Sequence, residues 1–174
     1  SKCMTAYHFS CTDRFDQNLE ILLDFVSTPH FTDENVKKEQ GIITEEIREY
    51  DDRPWERCFQ NLLCAMYSEN PVRENICGSA ESIRKITPEL LYRCHAAFYR
   101  PSNMALVVCG DVDPETVLKI ADAHLPTEAL DEPIRRGNVN EPEEVAKTYA
   151  EQAMQVSKPL FGIGIKDPVL ISDP

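Results

Sequence analysis

Glu39 and Glu46 are the residues whose type and spacing best suit chemistry. They lie in the run NVKKEQGIITEEIREYD, Asn35 to Asp51, whose apolar spacing predicts a helix. At an advance of ~100° per residue, Val36, Ile43, Ile47 and Tyr50 share one face, with Ile42 at its edge. Glu39 and Glu46 fall inside this apolar arc, between Ile42 on one side and Ile43 with Tyr50 on the other. They are two turns apart, so the pair stacks in one column. A carboxylate on the apolar side is costly unless something positive meets it. The helix offers no such partner at the offsets where helical ion pairs form. Glu46 has Ile42, Ile43, Glu49 and Tyr50 there, and Glu39 has Asn35, Val36, Ile42 and Ile43. The solvent-side charges differ: Glu34 can reach Lys37 or Lys38, Glu45 can reach Arg48, and Glu49 can reach Arg53. The inward pair therefore calls for a metal ion, a histidine or an arginine from another element. The competing reading is a pair of glutamates at the rim of a core, snorkelling to water.

Composition bounds the rest. The chain has 174 residues, 42% hydrophobic and 28% charged, enough for one sizeable core, or one domain with a piece of another. A net charge of −12 repels phosphate backbones and argues against nucleic acid. No run approaches a membrane span and no signal-peptide pattern opens the chain. The cysteines at 3, 11, 58, 64, 77, 94 and 109 are scattered without a Cys-x-x-Cys pair. They read as reduced, buried, small hydrophobes. Cys58, Cys64, Cys77 and Cys94 have no recognised zinc spacing.

The elements that must position the glutamates can be laid out in order. Residues 4–11 alternate as a strand does. Asp13 is placed to cap a helix that Pro29 ends, with Phe15, Leu19, Leu22 and Val26 inward. Thr32 or Asp33 caps the glutamate helix, and the run DDRP closes it. Pro54 opens a third helix to about Tyr67, with Trp55 as a packing anchor. A short helix at 79–86 follows, with Ser79 and Ser82 as caps. Thr87-Pro88-Glu89 and Asp113-Pro114-Glu115 start two more helices. Between these two, Met104–Cys109 reads as a buried strand bounded by Pro101 and Gly110. Residues 144–157 are ambiguous, and Leu160–Ile165 alternates with glycines like a strand.

Taken in order, KKEQGIITEEIREYDDRP, GSAESIRKITPELL and FYRPSNMALVVCGDVDPE resemble the pitrilysin/insulinase family of zinc metallopeptidases, in particular its bacterial processing-peptidase-like members. The resemblance runs from about Tyr7 to Leu125 and more weakly through Phe161. It implies a soluble cytoplasmic endopeptidase in which a zinc-bound water attacks the peptide carbonyl. Two histidines of a His-x-x-Glu-His motif and one later glutamate hold the ion. The later glutamate matches Glu46, and the carboxylate that supports the site and its activity matches Glu39. The motif itself is not in this sequence, whose histidines are His8, His30, His95 and His124.

The resemblance therefore predicts an incomplete piece of a peptidase, inactive alone. Residues 1–127 would be the C-terminal portion of the zinc-bearing domain, 128–142 a linker, and 143–174 the start of a following homologous domain. The expected fold is α+β in two layers, with helices packed on a mainly antiparallel sheet. The expected cofactor is Zn2+, bound in the longer parent and weakly or not at all here. The expected partners are a peptide substrate, the missing lobes of the same chain, and a second copy in a homodimer that buries strand edges or swaps the tail. A tail folded back onto its own chain is the alternative to the dimer. Two other functions compete: a non-catalytic partner or scaffold of the same family, and an acidic interaction module unrelated to it.

Overall fold

A computed structural model of the chain describes residues 4–125, 134, 137 and 139–167. Among the described residues six α-helices succeed one another: α1 Phe15–Ser27, α2 Asp33–Asp51, α3 Pro54–Met66, α4 Ala80–Ile83, α5 Pro88–Phe98 and α6 Pro114–His124. Most begin where their local chemistry says they should. Thr32 and Asn35 cap α2 reciprocally: Thr32 N–H donates to Asn35 Oδ1 at 2.8 Å, and Asn35 N–H to Thr32 Oγ1 at 3.2 Å. Ser79 and Ser82 form a capping box on α4, Thr87 accepts from Leu90 N–H at the head of α5, and Asp113 accepts from Thr116 N–H at the head of α6. Each cap satisfies a backbone donor that the first turn leaves open. The start of α1 differs from expectation. Its N-cap is Arg14, held in the left-handed region at φ 51° with no side-chain cap bond. Asn18 Nδ2 instead ties back to the Arg14 carbonyl at 3.0 Å.

The chain divides into two compact units, Cys3–Val36 with Ile86–Arg136, and Lys37–Lys85 with Gly137–Pro174. In the first, Leu19 and Leu23 of α1 meet Ile120 of α6, with Phe9, Phe15 and Val117 packed around them. Leu19 is the most buried, at 1% exposure. Segment 4–11 is tied in by Tyr7, whose hydroxyl shares a 2.7 Å hydrogen bond with Tyr99 and whose ring meets Phe25 edge-on.

In the second unit, residues 139–167 lie along α3. Lys147 N–H donates to the Ala65 carbonyl at 2.8 Å, and Gln152 Oε1 accepts from Asn61 at 2.7 Å. Gly162 and Gly164 pass over a ridge made by Cys58, Leu62 and Met66. The alternation of LFGIGI is thus used to put glycines against a helix, while Phe161, Ile163 and Ile165 stay exposed.

The expected α+β architecture is corrected by the structure: the described residues form helices and no strand or sheet. Segments 4–11, 104–109 and 160–165 carried strand-like patterns but form no ladder. A pattern of period two fixes which side chains share a side, whereas a strand also needs a backbone partner about 4.8 Å away, and no described segment supplies one. Met104 is extended, at φ −124° and ψ 158°, yet the run it opens is not buried, with Val107 85% exposed. Trp55 is likewise no packing anchor, being exposed on α3. The described cysteines are not buried either: Cys58, Cys64 and Cys77 are half-buried, and Cys11, Cys94 and Cys109 are exposed. Most of the expected linker, including 128–133, lies outside the described residues.

Candidate functional site

Glu39 and Glu46 both lie on α2, about 10 Å apart along its axis at 1.5 Å per residue. Val36 and Ile47 are the buried residues of that helix, and Ile43 and Tyr50 are half-buried. Ile42, by contrast, is 52% exposed. The apolar arc read from the sequence is therefore split. Its Val36–Ile43–Ile47–Tyr50 side packs, and the flank carrying Ile42, Glu39 and Glu46 faces solvent.

The other acids of the helix C-terminal half are neutralised locally. Glu45 pairs with Arg48. Glu49 pairs with Arg53 at 3.8 Å, and the Arg53 guanidinium sits 4.9 Å from the Tyr50 ring centroid. Asp51 pairs with Arg57 at 2.9 Å. The side chains of Glu39 and Glu46 make no hydrogen bond or ion pair among the described residues. The groove found in this unit, about 210 Å³, is lined by Tyr50, Asp51, Arg57, Phe59, Leu63 and Ile76 among others, and by neither glutamate.

A zinc ion bound for catalysis takes three protein ligands and keeps one open position. Among the described residues, no three His, Cys, Asp or Glu side chains come together as a metal site. These residues do not fit a zinc ion by themselves. The histidines form no such group among the described residues. His8 and His30 are exposed. His95 Nε2 bonds the Val26 carbonyl at 2.8 Å, and its ring stacks on Tyr99 at 4.5 Å. His124 Nδ1 bonds Asp24 at 2.7 Å. That bond raises the His124 pKa against the lowering effect of burial.

Sequence reasoning passed over the most fully satisfied ion pair among the described residues, Glu141 with Lys166 at 2.7 Å. No local spacing announces it: Glu141 sits in a Pro-rich acidic stretch and Lys166 just past an apolar run.

Comparison with known proteins states the class. The sequence profile described as Insulinase (Peptidase family M16) matches residues 1–80, and the profile described as Peptidase M16 inactive domain matches residues 85–166. The chain belongs to peptidase family M16. Among its relatives is a Bacillus subtilis protein named uncharacterized zinc protease YmfH, 44% identical over 164 residues, covering 93% of this chain and 38% of the relative. Another is the mitochondrial-processing peptidase subunit beta of Caenorhabditis elegans, 27% identical over 125 residues, covering 71% of this chain and 27% of the relative. The crystal structure of a putative M16-like peptidase from Alicyclobacillus acidocaldarius matches with a TM-score of 0.71 at 42% identity, covering 79% of this chain and 33% of that one. The chain thus spans well under half the length of the relatives it matches. No helix among the described residues is long and apolar enough to cross a membrane.

Proposed function

We propose that this chain is part of a zinc-dependent endopeptidase that hydrolyses peptide bonds, and that it contributes one metal ligand, Glu46, and one supporting carboxylate, Glu39. The observation that carries this reading is the contrast along α2. Glu45, Glu49 and Asp51 are paired to arginines, whereas the side chains of Glu39 and Glu46, like those of Asp33 and Glu34 in the first turn, have no partner among the described residues. Unpaired carboxylates at fixed spacing on a rigid helix are what a metal site completed from elsewhere requires. The peptide substrate and further segments of the peptidase lobe are the partners under this reading. A cytoplasmic location goes with it, supported by the six free thiols of the described cysteines.

On this account the 174 residues alone hydrolyse no peptide and bind zinc weakly. Calorimetric titration of the chain with zinc, beside an assay on a fluorogenic peptide library, tests both statements. Tight one-to-one binding that survives Glu46→Gln would place the metal elsewhere and overturn the assignment. A second reading, a non-catalytic partner or scaffold of the same family, draws support from the description of the profile matched by residues 85–166 as an inactive domain.

A further inference from the structure

The loop that follows α3 carries a site unrelated to the α2 glutamates. The backbone N–H groups of three consecutive residues converge on the Glu141 carboxylate. Ser68 N–H donates to Oε1 at 2.9 Å, Glu69 N–H to Oε2 at 2.7 Å, and Asn70 N–H to Oε2 at 2.6 Å. Lys166 Nζ closes the other side, 2.7 Å from Oε1. The same ammonium donates to the carbonyls of Pro142 at 2.6 Å and Glu144 at 2.8 Å, and it lies 5.2 Å from the Tyr67 ring centroid. Both charged side chains are largely out of solvent, Lys166 at 12% exposure and Glu141 at 13%.

Two features show that the loop is shaped by its own bonds as well as by Glu141. Arg73 Nη1 donates to the Ser68 carbonyl, and Asn70 Oδ1 accepts from Val72 N–H at 2.9 Å. The donors at 68–70 therefore form a preorganised concavity for an anion, of the kind successive backbone N–H groups make. Burial works to raise the Glu141 pKa, but Lys166 and the three N–H groups outweigh it and hold the carboxyl down to about 2. The occupant is ionised at neutral pH.

We propose that loop 68–70 together with Lys166 is a carboxylate-binding site, that Glu141 is its ligand supplied by the same chain, and that this occupancy straps residues 139–167 onto α3. The class of external ligand that fits is a small carboxylate, which would enter only when the Glu141 side chain is withdrawn. An ordinary structural ion pair makes no such allowance for a replacement ligand, and this is the difference an experiment can read.

Glu141→Ala empties the site and leaves the four donors in place. Glu141→Gln keeps the volume filled and removes the charge. The midpoint of thermal unfolding of the whole chain is followed at pH 7 against sodium acetate, with sodium chloride at matched ionic strength as the control. In Glu141→Ala, acetate restores half or more of the lost midpoint and saturates, while chloride does not. Wild type and Glu141→Gln show no specific response, and Lys166→Met added to Glu141→Ala weakens the acetate effect. Equal responses to acetate and chloride in Glu141→Ala, or an equal acetate response in Glu141→Gln, would overturn the proposal. Should Glu141→Ala fail to fold in chloride, its refolding yield decides: recovery in acetate supports the site, and no recovery refutes it.

Discussion

Substituting alanine at two glycines of one short segment should have opposite effects. Gly162 and Gly164 both pass over α3, and neither has a left-handed φ, so what each position demands is room. A Cβ at Gly162 would lie 3.6 Å from Leu62 Cδ2 and 3.7 Å from Cys58 Sγ, ordinary contact distances. A Cβ at Gly164 would fall on Met66 Sδ, 3.0 Å from Met66 Cγ and 3.1 Å from Leu62 Cδ1. Gly162→Ala should therefore be neutral or stabilising by about 0.4–1 kcal/mol, because alanine restricts the unfolded chain. Gly164→Ala should cost about 1–3 kcal/mol, the usual range for overpacking. Met66 is flexible and can yield part of that space, so Met66→Ala should be less harmful in the Gly164→Ala background than in wild type. A coupling beyond about 0.5 kcal/mol is expected for such neighbours. Urea unfolding of the two singles and the double measures these differences, and limited proteolysis reports release of residues 139–167. If Gly164→Ala is as stable as Gly162→Ala and uncoupled from Met66, this segment does not pack on α3 as described.

Three further outcomes are expected. Leu19→Ala should destabilise the α1–α6 core by about 2–5 kcal/mol, read by urea unfolding, since Leu19 is 1% exposed; a loss under 1 kcal/mol would show the core to be looser than this. His124 has its pKa raised by Asp24, so its contribution to stability is full below the unfolded value near 6.5 and is lost as pH rises through the folded value. Thermal unfolding of wild type should fall across that window relative to Asp24→Asn, and identical pH profiles would remove the pair from the account. Phe161, Ile163 and Ile165 form an exposed apolar row, so the isolated chain should self-associate on concentration; light scattering that shows a monomer across a wide dilution series would contradict this.

The sequence disclosed the helices well and the rest unevenly, for a physical reason. Caps and helical periodicity are local: Thr87 with Leu90, Asp113 with Thr116, and Pro88 and Pro114 in first turns act within a few residues, and the structure uses them as read. Arg14 is the exception, because its left-handed turn has no residue-type signature. The strand expectations failed because pairing is a property of two segments and the pattern belongs to one. Exposure of Trp55, Val107 and the cysteines is likewise set by which segments lie against them. For the site, the wheel located Glu39 and Glu46 on one helix and identified them as the acids without a helical partner. It did not foresee that Ile42 and both glutamates share an exposed flank. The Glu141 contact spans 73 residues to Ser68, beyond any spacing rule.

The central claim, that Glu46 is a metal ligand, is tested most directly by zinc content in a chimera. The matching 164-residue segment of the Bacillus subtilis relative is replaced by this chain, and bound zinc is measured by elemental analysis after exhaustive dialysis. The account predicts metal retained in the chimera and in Glu45→Gln, whose side chain pairs with Arg48, and lost in Glu46→Gln. Glu39→Gln should keep metal with affinity about 10–100-fold weaker, as removal of a supporting group does. Zinc retained undiminished in Glu46→Gln, by a chimera that holds it in the parent form, would contradict the claim.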